Sequence, residues 1–171
     1  MKSVRVLAAP ASLAAALLAP AAAHAAEAVP AARAHAAVLH PLTLILKSDL
    51  DFGTIARTGA GTVVIDPNTN VMTTTGGVVP LGGMPTAATF IGAAGSASVV
   101  IIRIPKQPIT ITRVGGTETM SVRDFTLQGQ NKRTLAKQES FEFRVGATLN
   151  VGATQLDGAY IGTFDVTVQY P

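Results

Sequence analysis

The chain has no cysteine and no tryptophan, three histidines, and only eight Phe and Tyr residues among 171. Without cysteine there is no disulfide framework and no thiolate for catalysis or metal binding, so hydrophobic packing and strand pairing must carry the stability. The scarcity of histidine removes the commonest general base. His24 falls in the first 25 residues, and His35 and His40 fall in an Ala-rich leader and at its junction, so neither is placed as a base or metal ligand. No nucleophile-elbow, zinc or phosphate-loop pattern occurs, and Gly59-Ala60-Gly61 lacks the strand-then-helix setting of a phosphate cradle. The expectation is a non-enzymatic protein with no cofactor and no metal.

Charge is scarce too, at 13% of residues. Lys2 and Arg5 precede an Ala/Leu run over 6–22 that Pro10 and Pro20 interrupt, and Ala23-His24-Ala25 puts small residues where a signal peptidase cleaves. Residues 1–25 therefore read as a secretory signal peptide, and the mature chain is expected to have no membrane span and to reside in the periplasm, at the cell surface or outside the cell. No cysteine follows the cleavage site to carry a lipid. Loss of Lys2 and Arg5 leaves eleven basic against ten acidic side chains, a formal charge of +1. That balance, with no basic stripe, excludes a nucleic-acid binder. Lys132, Arg133 and Lys137, beside Gly129, Gln130 and Asn131, read as a solvated turn.

What is abundant is alternation. Over 158–171 the positions Tyr160, Gly162, Phe164, Val166, Val168 and Tyr170 are apolar or Gly, while Thr163, Asp165, Thr167 and Gln169 are polar. Period two is the mark of a half-buried strand, and such a strand must dock into a sheet. Phe141, Phe143, Val145, Ala147, Leu149 and Val151 form a second long run of the same kind. Leu42, Leu44 and Leu46, then Leu50 and Phe52, predict two short strands joined at a kink. Gly59-Ala60-Gly61 predicts a turn, 62–66 and 71–75 a hairpin around Pro67-Asn68-Thr69-Asn70, and 76–85 a loop. Strands are also expected over 89–92, 97–104 and 109–112. Met120 and Val122 differ in parity from Phe125 and Leu127, so a β-bulge is expected near Arg123-Asp124.

Residues 26–41 are a leader or an extended arm, in which Ala32, Ala34, Ala36 and Val38 alternate with Arg33, His35 and Ala37. Roughly nine short strands without helical period over 42–171 predict an all-β, antiparallel β-sandwich of immunoglobulin-like class. Asp66, Asn68 and Asn70 have the oxygen spacing that opens a calcium loop, but Val71 and Gly77 occupy the offsets of its glycine and bidentate Glu, so a turn is expected. Asp49 and Asp51 share a strand face and are expected in solvent. Phe141, Phe143, Tyr160 and Phe164 fall on core phases, which removes the aromatic platform of a sugar-binding module.

Four phrases in order, LDFGTI at 50–55, GTVVIDP at 61–67, VGATLNVG at 145–152 and GAYIGTFDVTVQY at 158–170, resemble the family catalogued as domain of unknown function 4402, a bacterial secreted family related to pilin and adhesin β-sandwiches. The tail, with Gly158 fourteenth from the end and Tyr170 penultimate, further resembles chaperone–usher pilins. That resemblance implies a sandwich lacking one strand, with Gly158, Tyr160, Gly162, Phe164, Val166, Val168 and Tyr170 engaged in strand pairing. It also implies partners that are like subunits or a periplasmic chaperone. Two features depart from the pilins: the disulfide is absent, and the 26–41 arm offers mostly Ala. The expected function is an exported surface or fimbria-like structural subunit assembling by β-strand addition; the alternative is a self-complete ligand-binding module using loop 76–86.

Overall fold

The computed structural model describes residues 41–95, 97–137 and 139–171. The expected signal peptide and all of the 26–41 arm but Pro41 lie outside the described residues. Among these, every regular element is a strand, eleven in all, and no helix is long and apolar enough to cross a membrane.

The hub is β9 (Ser140–Val151), whose Phe141, Phe143, Val145, Ala147, Leu149 and Val151 are all buried. It is long enough to serve three neighbours, all antiparallel. Its first half pairs with β4 (Ala88–Ala94), its second with β2 (Thr54–Ile65), and its other edge with β7 (Thr119–Leu127). Beyond β4 lies β1 (Leu42–Ser48), beyond β2 lies β3 (Met72–Gly82), and beyond β7 lie β6 (Ile109–Arg113) and β10 (Tyr160–Ile161). These eight strands form one curled sheet. A second sheet of three orders β11 (Thr167–Gln169), β5 (Ser98–Arg103) and β8 (Lys132–Leu135).

Two apolar clusters fill the interior. The first joins both sheets: Phe90, Phe141 and Phe143 from the large one meet Val100, Ile102 and Leu135 from the small one. Phe143 is stacked with Phe90 at 5.3 Å and with Phe141 at 6.1 Å. The second is β-branched and aliphatic, built from Val63, Val78, Val122, Ala147, Leu149 and Val151. Complete burial of an aliphatic or Phe side chain contributes about 1.5–3 kcal/mol, so these clusters dominate stability.

The expected bulge is present. Register between β7 and β9 shifts between Arg123 and Thr126, and Asp124 sits at φ 53°, where a short polar side chain is tolerated. The hairpin around Pro67 is present as well. Asn68 N–H donates to Asp66 Oδ1 (2.8 Å), Asn70 takes φ 59°, and its Oδ1 accepts from Ala87 N–H (2.7 Å). Donors of Asn68 and Thr69 hold the Asp66 carboxyl below its usual range, the Asn68 backbone N–H being the main cause.

Four local expectations are corrected. Gly59-Ala60-Gly61 is not a turn but part of β2, where the register shifts between Arg57 and Gly61. A Cβ on Gly77 would collide with the Gly59 backbone, so these glycines serve a close crossing of two strands rather than a reversal. Residues 76–82 are likewise strand, not loop, completing β3 opposite β2. After β1 there is no second short strand: Asp51 makes only a single bridge to Thr86, and a shift at Leu46/Ser48 leaves Leu46 exposed. Finally, Lys132 and Arg133 belong to β8. Arg133 lies over the Phe143 ring at 5.6 Å and donates to the carbonyls of Gln128, Gln130 and Glu142, its pKa lowered by burial. Eleven strands replace the expected nine because β8 was polar and because the terminal run is divided in two.

Candidate functional site

Segment 158–171 does enter the sheets, but as two pieces. Tyr160 and Ile161 pair with Arg113 and Thr112 of β6 in the large sheet, and 167–169 pair with 101–103 of β5 in the small one. Residues 162–166 cross between them without strand pairing. The side-chain parity holds through the crossing: Tyr160, Phe164, Val166, Val168 and Tyr170 are half-buried, while Ile161, Thr163, Asp165, Thr167 and Gln169 are exposed. Phe164 packs on Phe125 at 5.1 Å, and Val166, Val168 and Tyr170 rest on the first cluster. Gly162 is exposed, its backbone lying against Ile111 and Thr110.

The start of the segment is pinned at a corner. Gly158 takes φ 144°, which a side chain would strain, and Arg113 packs against it. Tyr160 Oη donates to the Leu156 carbonyl (2.7 Å) and accepts from Gln155 Nε2 (2.7 Å). Arg113 Nε donates to Glu118 Oε2 (2.7 Å), and that bond pulls the Glu118 pKa down and raises that of Arg113.

Between this segment and 49–55 lies a groove of about 740 Å³. One wall is 49–55, the other 158–162 with Phe164, and the floor is Ile109, Ile111, Met120, Val122 and Leu149, drawn from β6, β7 and β9. The walls share a property. Pairing with β3 uses one edge of Thr54–Arg57, while β9 begins to pair with β2 only at Gly61; β10 pairs only with β6. Among the described residues, then, two backbone edges bordering an apolar floor have no strand partner, which is what an added strand requires.

The rim is acidic. Asp49 and Asp51 are exposed, and Gly53 N–H donates to Asp51 Oδ1 (2.7 Å). The nearby cations are matched elsewhere, Arg113 with Glu118 and Arg57 with Asp157 at 3.9 Å and the Ala153 carbonyl at 2.8 Å. Sequence reasoning assigned one wall of this groove. It missed 49–55 and the floor, because nothing local marks residues about 100 positions apart as neighbours.

The family described as "Domain of unknown function (DUF4402)" matches residues 42–170. The chain belongs to that family. No curated protein and no solved structure matches it significantly. Both groove walls fall inside the DUF4402 match, as do all eleven strands. Among the described residues of this DUF4402 chain, no three His, Cys, Asp or Glu side chains gather as a metal site would need.

Proposed function

We propose that this chain is an exported, non-enzymatic structural subunit, surface-exposed or fimbria-like, that assembles by adding a strand to the groove between 49–55 and 158–164. In this reading the domain is an immunoglobulin-like β-sandwich short of one strand, and residues 1–25 are its signal peptide. The observation that carries the proposal is the groove itself: an apolar floor with an unpaired backbone edge on each side. Backbone pairing supplies affinity there, and side chains at alternate positions of the guest strand supply fit. Partners are like subunits or a periplasmic chaperone. The test is purification from the periplasm or cell surface followed by electrophoresis without heating. The expected result is a heat-labile ladder, and stabilisation of isolated subunit by an added strand peptide; discrete monomer with no such gain contradicts it.

Exposed Leu81 and Met84 favour a second reading, in which residues 81–86 contact a ligand in a self-complete module. Leu81→Ala and Met84→Ala that abolish ligand retention and leave assembly unchanged would select it; unchanged retention eliminates it.

A further inference from the structure

We propose that a second groove, at the Arg103 end of β5, binds anionic amphiphiles, a phosphate or carboxylate carried on an aliphatic body, with Arg103 and Lys106 holding the charge. This site is independent of strand addition. A groove of about 630 Å³ lies where the end of β5 meets the link between β7 and β8, within the roughly 300–1,000 Å³ of small-molecule sites. Its floor is aliphatic. Ile102 belongs to the first cluster, Ile104 and Leu127 pack against it, and Ile101 beside them is half-buried, so the groove opens onto the edge of the core. A hydrocarbon laid there takes apolar surface out of water.

The lip is cationic and unmatched. Arg103 and Lys106 line the groove and are exposed, and Lys132, opposite Ile101 on β8, adds a third exposed cation. None of these three side chains makes an ion pair or hydrogen bond among the described residues, whereas Lys47, Arg57, Arg113 and Arg123 each have an acid. No acid lines the groove, and Asp165, two residues before the Thr167 that pairs with Arg103, is exposed and forms no ion pair among the described residues. Together, floor and lip select among anions. A nucleotide or a sugar chain needs aromatic faces or many hydrogen-bonding groups, and the lining has no aromatic ring and, beyond its cations, one polar side chain, Asn131. A bare inorganic anion gains nothing from Ile and Leu. An alkyl or acyl chain ending in phosphate or carboxylate uses both parts, with the Arg103 and Lys106 stems along the chain and their charged heads on the anion.

The test uses the full chain and decyl phosphate at monomeric concentrations, with affinity read by calorimetry and the site by backbone amide NMR shifts. The expected result is saturable binding that shifts the amides of 101–106 and 127–132. It should be about tenfold weaker in Arg103→Gln with Lys106→Gln, and unchanged in Lys137→Gln, which removes an exposed cation outside the lining. The double variant alters only exposed side chains, and an unchanged thermal midpoint verifies its fold. Inorganic phosphate binding as tightly as decyl phosphate overturns the role of the floor; decanol binding as tightly overturns that of the cations. Shifts confined to 49–55 and 158–164 overturn the site. Polygalacturonate that binds at 101–106 where decyl phosphate does not overturns the amphiphile in favour of an acidic polymer. Binding to phosphatidylglycerol vesicles as well as to decyl phosphate, but not to phosphatidylcholine vesicles, supports the site with a bilayer lipid as its source. Binding of decyl phosphate alone supports it with a free amphiphile.

Discussion

The two halves of segment 158–171 follow one alternation yet end in different situations. Residues 167–169 pair with β5, and Val166, Val168 and Tyr170 cap the aromatic cluster. Residues 160–161 pair with β6, but Gly158, Ala159 and Gly162 carry almost no side chain, so Ile109, Ile111 and Met120 stay only half-covered and the groove stays open. Strand pairing alone therefore does not close a core. Each half has one paired edge, so closure is decided by side-chain volume over the facing residues, which Val166, Val168 and Tyr170 supply and the 158–162 stretch does not. The difference separates a half that serves stability from a half that is available for binding.

Substitutions in each half test that separation. The largest effect is expected at the crossing: Phe164→Asp puts a charge against Phe125 and should cost about 3 kcal/mol or more, seen as loss of a cooperative unfolding transition. Next, Val168→Ala should lower stability by about 1–2 kcal/mol in denaturant titration, whereas Ile111→Ala, on the open floor, should cost less than about 1 kcal/mol until a guest strand is bound. Equal losses at the two would erase the distinction. A smaller, pH-dependent effect belongs to the Tyr160 corner. The Glu118 pKa is lowered on folding, so its contribution is complete above the unfolded carboxylate pKa and is lost as pH falls through the folded one. Acid should loosen the corner, seen as a shift of Tyr160 ring resonances, and Glu118→Gln should remove that dependence. Thr167→Asp, on the exposed face of β11, should change stability by less than about 0.5 kcal/mol; a loss like that of Phe164→Asp would refute the parity assignment.

Much of this architecture was legible in the chain. The β9 alternation, the bulge near Asp124 and the hairpin around Pro67 each rest on short-range rules of side-chain period and backbone torsion, and each is present. Glycine misled the reading at 59–61 and 76–77, because the same residue permits a turn or a close crossing of strands, and only the tertiary partner decides which. Arg133 misled it because its polarity suggests solvent, while its guanidinium in fact lies over an aromatic ring and donates to three carbonyls. At the groove, the alternation of 158–171 revealed one wall. The opposing wall and the floor come from 49–55, β6, β7 and β9, and are brought together only by the curl of the large sheet.

Backbone amide hydrogen exchange on the full chain, with and without a saturating strand peptide, tests the central claim most directly. The account predicts that slowed exchange appears at Thr54–Arg57 and Tyr160–Ile161, the two edges beside the groove, while Thr167–Gln169, already paired with β5, stays as it was. Exchange unchanged at both groove edges, or slowed equally along the whole terminal segment, would contradict it.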